Sequence, residues 1–491
     1  MFIFAVMGGF FGIISKSPCA NTLFYGTDYH SHMGTKRAGL ATMNEQGIIK
    51  RSIHRIENSY FRNKFEDELG EFSGNKGIGV ISDNDPQPIV LRSHLGTFAI
   101  VTIGKINNLE ELGNELLSRG INFSELSSGQ INPTEVVGHL ITLEQSFADG
   151  IRHVQDKVRG SCSLLLMTQD GIIAARDRYG RTPVVVGVRC GQEGTAIAFA
   201  SESCSFPNLD LQLERFLGPG EAVMAQAGSL EETDLNSSLS LKQLLPPREK
   251  LQICTFLWVY YGFPTSAYEG INVEEVRFRN GELMGKEEEY QVDSVCSIPD
   301  SGTGMAMGYA VGKGVPYRQA VAKYTPTWPR SFMPADKERR ALVARMKLLP
   351  NADVIRGTRL VCCDDSIVRG TQLKNNVGVF LRNGVKEIHV RISCPPLLFR
   401  CPYLHFTSAR SDTELITRRI ILAQKSDNLN PYIDPETPEH VAMVEGIRRE
   451  MNFTSLRFNS INNMITSIGL PKEKLCTYCF DAVSYTHLTL P

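Results

Sequence analysis

The stretch that decides the fold of the second half of the chain is Leu360-Val361-Cys362-Cys363-Asp364-Asp365-Ser366-Ile367-Val368-Arg369-Gly370-Thr371. Its apolar start predicts a buried strand, and the two carboxylates and small residues that follow predict a turn that leads into a helix. Backbone N–H groups at such a turn bind a terminal phosphate, while paired acids hold ribose hydroxyls or Mg²⁺. A lone Asp-Asp-Ser would be better explained as an ordinary capped loop, so the prediction of a phosphorylated-sugar site depends on the whole run. Residues 364–371 are called the phosphate turn below.

The alternation of elements around the phosphate turn predicts the topology of the second half. A strand is expected at 294–298, followed by a Gly-rich turn and a helix, and a helix from the phosphate turn to about Arg382 precedes a strand at 387–393. Such alternation is typical of a mostly parallel, doubly wound sheet, whose ligands bind at the carboxyl ends of the strands. We therefore expect the functional groups to lie in the turns.

A second turn carries candidate groups for binding a pyrophosphate. This glycine turn is Ile298-Pro299-Asp300-Ser301-Gly302-Thr303-Gly304, and its glycines allow the backbone to approach a ligand closely. Lys323 and Arg330 follow in a segment that ends at Phe332, and a loop with these cations is suited to closing over a leaving pyrophosphate. The glycine turn is a weak signal alone and gains weight from these companions.

The first half has a different pattern, in which short apolar strands alternate with two helical stretches. Strands are expected at 78–81, 98–103, 163–167 and 184–188, and helices near 110–119 and 135–147. This pattern predicts a mixed α+β domain. Residues 228–250 are polar, have little periodicity and include Pro246-Pro247, so we place the domain boundary there.

Composition limits the classes of partner. The chain has 491 residues, 42% of them hydrophobic, and a formal net charge of -1, which suits two globular domains and argues against broad attraction to nucleic acid or anionic lipid. The apolar start, Met1 to Ile14, lacks a basic region and is too short to cross a bilayer. We expect a buried first strand there and a cytoplasmic protein that is not bound to a membrane.

These motifs together resemble the glutamine phosphoribosylpyrophosphate amidotransferases, also called amidophosphoribosyltransferases, which catalyse the first committed step of purine synthesis. The phosphate turn resembles the phosphoribosyl pyrophosphate signature of type I phosphoribosyltransferases, and the likeness runs from about Met7 to Phe480. In the first half it includes Arg176-Asp177-Arg178-Tyr179-Gly180-Arg181-Thr182-Pro183, Ser201-Glu202-Ser203-Cys204 and Gly218-Pro219-Gly220-Glu221. The resemblance implies an α+β, Ntn-type αββα sandwich over residues 7–245 and an α/β type I phosphoribosyltransferase domain with a mostly parallel sheet over residues 250–480. Residues 481–491 match nothing in the family.

Four of the twelve cysteines are candidate metal ligands: Cys254, Cys401, Cys476 and Cys479. The last two form a Cys-x-x-Cys pair, and two thiolates from distant segments would complete four-coordinate ligation. From the residues alone, zinc or four unrelated buried thiols would explain the pattern equally well. The resemblance implies a structural [4Fe-4S] cluster, because these positions match the cluster cysteines of the family's iron–sulfur subgroup. Cys362 and Cys363 are expected to be core residues.

The chain departs from the family at the glutaminase site. A glutaminase of this class uses the thiol of an N-terminal cysteine as nucleophile and its α-amino group as base, and here the matching position is Gly8. The family's oxyanion-hole Asn aligns with Ile103, its glutamine-carboxylate Arg with Ser82, and its amine-binding Asp with Pro133. We therefore expect an inactive glutaminase half. Cys19 is the nearest thiol, but it has no terminal amine and no evident base, so a packing role is expected.

The resemblance implies an enzyme that forms phosphoribosylamine from phosphoribosyl pyrophosphate and, without a glutaminase, from free ammonia. It implies catalytic roles for Asp364, Asp365, Lys323 and Arg330, and binding of the substrate by the glycine turn from Asp300 to Thr303 and by residues 366–371. Mg²⁺ on the two aspartates, purine nucleotide effectors and a homo-oligomer are further expectations. Two alternatives remain open: a non-catalytic regulatory paralogue that pairs with an active homologue, and a redox sensor based on the cysteines.

Overall fold

The structure is a computed structural model that describes residues 8–57, 59–83, 85–127, 129–190, 195–227, 239–324, 348–404, 411–424, 426 and 428–483. Within these ranges, no helix has both the length and the apolar character needed to cross a membrane. Among the same residues, no strand that ends at or before Leu245 pairs with a strand that begins after Leu245. The chain therefore forms two domains.

The first domain contains two antiparallel sheets. Its strands are β1 (Gly9–Ser15), β2 (Arg37–Met43), β3 (Ile49–Arg55), β4 (Lys76–Ser82), β5 (Ile89–Ser93), β6 (Gly96–Ile106), β7 (Leu126–Ser127), β8 (Gln130–Ile131), β9 (Gly160–Met167), β10 (Gly171–Ala175), β11 (Val185–Arg189), β12 (Ala196–Ala200), β13 (Gln212–Phe216), β14 (Ala222–Ala227) and β15 (Leu239–Leu245). One sheet has the order β13-β11-β12-β1-β4-β2-β3 and the other has the order β15-β14-β10-β9-β6-β5, while β7 and β8 form a small hairpin.

Helices cover the outer faces of both sheets, which gives the expected αββα sandwich. They are α1 (Ala20–Asp28), α2 (Phe61–Phe65), α3 (Leu109–Ser118), α4 (Pro133–Ile141) and α5 (Phe147–Lys157). Strand β1 illustrates the layering, because its side chains alternate between two faces. Phe10 and Ile14 pack between the sheets, whereas Phe11 and Ile13 pack beneath α1. Helices α3, α4 and α5 cover the second sheet in the same way.

Two segments of the first domain differ from what the sequence predicts. The helix expected at 135–147 ends at Ile141, and α5 begins at Phe147. The break occurs because Ser146 caps α5, its hydroxyl accepting the N–H of Asp149 at 3.1 Å. The sequence predicts little periodicity in residues 228–250, but residues 239–245 form β15, an edge strand of the second sheet that pairs with β14.

The second domain is built on a parallel sheet, as expected. Its strands are β16 (Ile253–Cys254), β17 (Ala267–Tyr268), β18 (Ile271–Asn272), β19 (Ser294–Ser297), β20 (Val321–Lys323), β21 (Leu348–Pro350), β22 (Arg359–Asp364), β23 (Glu387–Ile392), β24 (Ser455–Phe458) and β25 (Leu475–Cys476). Strands β19-β22-β23-β24 pair in that order and all in parallel. Cys362 and Cys363 on β22 are core residues, as expected.

The helices of the second domain are α6 (Val273–Lys286), α7 (Thr303–Lys313), α8 (Ala352–Ile355), α9 (Thr371–Arg382), α10 (Ile416–Ala423), α11 (Pro438–Met451), α12 (Ile461–Ile468) and α13 (Tyr478–Asp481). Helices α6 and α7 touch backbone to backbone. A Cβ added at Gly281 would lie 1.9 Å from the oxygen of Met305, and one at Gly308 would lie 1.9 Å from the oxygen of Phe278. Because α7 starts in the glycine turn, this close packing holds that turn in place.

Candidate functional site

The glycine turn and the phosphate turn meet at the carboxyl end of the parallel sheet. The N–H of Ile298 donates to the oxygen of Cys363 at 2.9 Å, so the glycine turn begins beside the strand that ends in Asp364. A Cβ at Gly302 would lie 2.6 Å from the same oxygen of Cys363, a contact that only glycine avoids. The two turns therefore form one edge, where ligands of parallel sheets bind.

Asp364 and Asp365 are both buried at this edge. The Asp365 carboxylate accepts hydrogen bonds from Ser301 Oγ and, at 2.5 Å, from Ser366 Oγ, and Asp364 Oδ1 accepts the N–H of Asp365 at 3.0 Å. Burial, followed by the charge of Asp365, raises the pKa of Asp364 well above its usual range, and burial also raises the pKa of Asp365. A divalent cation would offset both effects, so this pair of acids fits Mg²⁺.

The phosphate turn presents backbone donors to one side of the aspartates. Gly370 has φ 78° and stands directly before α9, and a Cβ there would lie 2.0 Å from Cε of Met451. In the described part of the chain, the N–H groups of Ile367, Val368 and Gly370 donate to no acceptor. Free N–H groups at the positive end of a helix dipole form an anion site.

The predicted cations lie in different situations. Lys323 on β20 forms an ion pair with Asp300 of the glycine turn, so the structure brings it to the site. The side chain of Arg369 forms an ion pair with Glu414, and its backbone oxygen accepts a hydrogen bond from Arg419 at 3.2 Å. Arg330 lies outside the described residues.

Four segments bring the candidate cluster cysteines together. Cys254 and Cys476 are register partners in the parallel pair of β16 and β25, and Cys479 follows in α13. The N–H of Leu398 donates to the oxygen of Cys479 at 3.0 Å. This hydrogen bond brings the segment that contains Cys401 close to the other three cysteines. None of the four cysteines is in a disulfide.

The four thiols lie within electrostatic range of one another. Burial raises the pKa of Cys254, Cys401 and Cys479, and other cysteines of the group raise it further. Burial also raises the pKa of Cys476, an effect that Arg181 opposes. Thiolates in such a place need a positive partner, and iron would supply one.

Two cations of the first domain adjoin these cysteines. Lys105 Nζ donates to the oxygen of Cys401 at 3.3 Å, and the guanidinium of Arg181 lies 3.6 Å from the ring centre of Tyr403. In the described residues no group of three or more His, Cys, Asp or Glu forms a site for a single metal ion. Four thiolates with two cations beside them fit a [4Fe-4S] cluster, in which iron and sulfide lie between the ligands.

The first domain contains a cavity of about 500 Å³, called the N-terminal cavity below. Gly8, Ser82, Ile103 and Pro133, the positions that the sequence predicts to have lost the glutaminase groups, all line it. The N–H of Gly8 donates to the oxygen of Met33 at 3.1 Å, so this nitrogen acts as an ordinary amide. The structure thus brings the four positions to one place, without a nucleophile at Gly8.

Cys162 and Cys19 are the two other thiols that could act in place of a nucleophile at position 8, and both are buried. Cys162, which the sequence did not single out, lines the N-terminal cavity, but burial raises its pKa to about 12. Cys19 is not among the described residues that line the cavity, and burial also raises its pKa to about 12. Both therefore remain neutral thiols at physiological pH, which makes them poor nucleophiles.

A buried carboxylate that the sequence motifs did not single out as functional joins the two domains. Glu202 pairs with His32 at 2.9 Å and accepts hydrogen bonds from Tyr268 Oη and, at 3.1 Å, from Ser266 Oγ of the second domain. Burial alone would raise the pKa of Glu202, but the His32 charge and these hydrogen bonds outweigh it and hold the pKa at about 2. Only the folded chain brings these residues together, so spacing could not have revealed the junction.

Known proteins resemble both domains. A protein-family model described as a glutamine amidotransferase domain matches residues 76–208. The chain is 31% identical to a chloroplastic amidophosphoribosyltransferase of Vigna aconitifolia, over 92% of this chain and 85% of the relative. It is 28% identical to an amidophosphoribosyltransferase of Methanocaldococcus jannaschii, over 96% of each. Its structure matches the glutamine phosphoribosylpyrophosphate amidotransferase of B. subtilis complexed with ADP and GMP, with TM-score 0.81, 26% identity and 97% coverage of each chain. The likeness therefore extends over the N-terminal cavity as well as the phosphate turn.

Proposed function

Because the chain belongs to the amidophosphoribosyltransferase family of purine biosynthesis, we propose that it forms phosphoribosylamine and pyrophosphate from phosphoribosyl pyrophosphate and free ammonia. The observation that carries the proposal is a contrast between two sites. The phosphate turn retains its acids and its free N–H groups, whereas Gly8 stands where the glutaminase nucleophile belongs. Without a nucleophile no glutamyl thioester forms, so glutamine cannot supply the nitrogen.

The substrate is proposed to bind across the two turns. Its 5′-phosphate accepts hydrogen bonds from the N–H groups of residues 367–371, and its ribose hydroxyls donate to Asp364 and Asp365. The pyrophosphate lies on the glycine turn, where Lys323 and Arg330 offset its charge. The ion pair between Lys323 and Asp300 supports this arrangement, because it brings an ammonium group to the turn.

The reaction then needs mainly positioning and charge stabilisation. Ammonia attacks the anomeric carbon, the bond from that carbon to the pyrophosphate oxygen breaks, and the extra proton of the new amine passes to solvent. Mg²⁺, held by Asp364 and Asp365, would neutralise charge on the leaving pyrophosphate. Since ammonia is already a free base, no strong general base is required.

We also propose a structural [4Fe-4S] cluster on Cys254, Cys401, Cys476 and Cys479. The supporting observation is that the four cysteines lie together beside Lys105 and Arg181, so a cluster would join the last segment of the chain to both domains. Purine nucleotides are proposed as effectors because the structure of the B. subtilis relative is described as a complex with ADP and GMP. A homo-oligomer is part of the same proposal.

The decisive experiment compares nitrogen sources. Pyrophosphate release is measured with phosphoribosyl pyrophosphate and Mg²⁺, with either ammonium chloride or glutamine, on protein purified without oxygen. Pyrophosphate release is expected with ammonium chloride and not with glutamine. The Gly8→Cys variant is also expected to show no reaction with glutamine, because Ser82 and Pro133 still cannot hold the amino acid.

Each other outcome has a clear meaning. Glutamate release from glutamine at about 1 per second or more, a usual enzyme rate, would overturn the inactive glutaminase and direct attention to Cys162 and Cys19. Pyrophosphate release with neither nitrogen source would overturn the transferase and favour the regulatory paralogue.

A further inference from the structure

Two arginines lie opposite each other in the lining of the N-terminal cavity. Arg37 on β2 and Arg55 on β3 are directly opposite in an antiparallel pair, and Ser82 on β4 is the partner of Arg37 on its other side. Side chains of directly opposite residues project from the same face of a sheet. Both arginines and Ser82 line the cavity, so this row forms one of its walls.

The row is unfavourable as it stands. Like charges directly opposite each other in a sheet are destabilising. Within the described residues, neither Arg37 nor Arg55 has an ion pair or a side-chain hydrogen bond that would offset the repulsion, and Lys36 adds a further cation to the cavity lining. Two opposed arginines that have no ion pair among the described residues are an arrangement that a bound anion would stabilise.

The cavity lining also contains three acids, as many as its cations, but among the described residues none of them forms an ion pair with Arg37 or Arg55, and the charge of Asp83 interacts with that of Lys36. Asp83 Oδ1 accepts the N–H of Lys36 at 3.1 Å and the hydroxyl of Thr35 at 3.2 Å, so it is used within its own loop. Glu57 and Asp85 also line the cavity, and in the described part of the chain neither forms an ion pair with Arg37 or Arg55.

The far wall offers a buried hydroxyl. Ser161 on β9 is 2% exposed, lines the cavity, and its Oγ has no hydrogen-bond partner among the described residues. Leaving such a group without a partner costs free energy, and a ligand inside the cavity would relieve that cost. The cavity therefore combines two opposed arginines in its lining with a buried hydroxyl that has no hydrogen-bond partner among the described residues.

We propose that the N-terminal cavity is a binding site for a small dianion, whose carboxylate or phosphate groups are held by Arg37 and Arg55 and whose other end reaches Ser161. The ligand is bound and not converted, because the cavity has no nucleophile at Gly8. Arg37 stands on the strand next to Ser82, where the family would have its own arginine, so positive charge has returned to this cavity from a neighbouring strand. The site does not require the transferase to be active.

Calorimetric titration of the full chain, without phosphoribosyl pyrophosphate or ammonia, tests the proposal. The probes are succinate for a dicarboxylate, inorganic phosphate for a phosphate, and glutamine as a zwitterion with no net charge. We expect one of the two anions to bind more tightly than the other. The tighter anion identifies whether the cavity prefers carboxylate or phosphate groups. Arg37→Gln combined with Arg55→Gln should weaken binding on the order of 100-fold, because charged hydrogen bonds are lost. Arg92→Gln, an exposed arginine on β5 away from the cavity lining, is the matched control.

Thermal unfolding gives a second, independent readout. Without ligand, the Arg55→Gln protein should melt no lower than the unmodified chain, because a like-charge pair has been removed. With the preferred anion, the unmodified chain and Arg92→Gln should gain more in melting temperature than the double variant, which keeps the phosphate turn and has lost only the two arginines. Binding of neither anion, unchanged binding in the double variant, or glutamine binding as tightly as the anion would each overturn the proposal. The nitrogen-source assay fails or succeeds separately, so the two proposals can be distinguished.

Discussion

The phosphate turn and the N-terminal cavity both lie at the ends of strands, and they differ in the groups that remain on them. At the phosphate turn the two buried acids and the free N–H groups are all present. At the N-terminal cavity the volume of about 500 Å³ persists, but Gly8 and Ile103 supply neither a nucleophile nor an oxyanion donor. A cavity is produced by the packing of strands, whereas chemistry depends on a few side chains. A cavity of this kind can therefore remain even where the side chains for a reaction are absent, as we propose here for the glutaminase.

The largest effect is expected at the phosphate turn. Asp364→Asn combined with Asp365→Asn keeps the shape of both side chains and removes the charges for Mg²⁺ and the ribose hydroxyls. Pyrophosphate release with ammonia should fall on the order of 100-fold or more in kcat/KM. The melting temperature should not fall, because burial already disfavours both charges. Asp353→Asn, an exposed position on α8, is the control. Unchanged kinetics in the double variant would remove the distinction between the two sites.

The second effect concerns the four cysteines that we propose as cluster ligands. Cys479→Ser should remove most of the iron and acid-labile sulfide from protein purified without oxygen, and it should lower the melting temperature, because a cluster contributes to folding only while its ligands are complete. Cys190→Ser changes an exposed cysteine and should alter neither quantity. One equivalent of zinc and no iron in the unmodified protein would contradict the cluster.

The third effect is a loss of stability in acid that originates beside the N-terminal cavity. His30 donates from Nδ1 to the oxygen of Gly26 at 2.8 Å and accepts the N–H of Glu202 at Nε2, so the neutral ring uses both nitrogens. Burial lowers the pKa of His30 from 6.5 to about 4, although the charge of Glu202 opposes the shift.

The sign of this effect follows from where the proton binds. The unfolded chain binds the proton near pH 6.5 and the folded chain only near pH 4, so stability is complete above pH 6.5 and falls as the pH drops toward 4. The free energy of unfolding should fall by on the order of 2 kcal/mol between pH 7 and pH 5. Urea denaturation of the unmodified chain and of His30→Gln measures it, since the variant should lack this part of the slope. His94→Gln, at an exposed histidine, should keep the full slope.

The part of this molecule that the sequence predicts well is local. The strand, turn and helix around the phosphate turn follow one another within residues 359–382, and their side chains and glycines are informative without tertiary contacts. The glycine turn could be matched to it because parallel strands end at one edge of a sheet. In contrast, the grouping of Gly8 with Ser82, Ile103 and Pro133 came from resemblance to the amidophosphoribosyltransferase family. No pattern in the residues themselves indicated it.

The part that the sequence does not predict depends on distant contacts. The Glu202 junction combines His32, Ser266 and Tyr268, which only the folded chain brings together. Strand β15 alternates leucine with polar residues only from Leu239 to Lys242, and the alternation breaks where its pairing with β14 shifts register, so periodicity alone is a weak signal for it. The opposed pair of Arg37 and Arg55 depends on strand register, which a sequence pattern does not specify across such a loop.

The smallest effect tests whether position 8 is now shaped for glycine. Gly8 has φ 76°, and a Cβ there would lie 3.1 Å from the oxygen of Ile81 and 3.4 Å from Cγ2 of Ile103. Gly8→Ala should therefore lower the free energy of unfolding by about 1 to 2 kcal/mol, the cost of a left-handed backbone for a residue with a Cβ, with crowding added. Gly120→Ala is a matched control, because Gly120 has φ 81° with nothing within 4 Å of the added carbon. The difference between the two variants, measured by urea denaturation, isolates the crowding at Ile81. A smaller loss for Gly8→Ala than for Gly120→Ala would mean that position 8 still accepts a side chain. The N-terminal cavity would then differ from the phosphate turn only in the residues that it has lost, and not in the shape of its backbone.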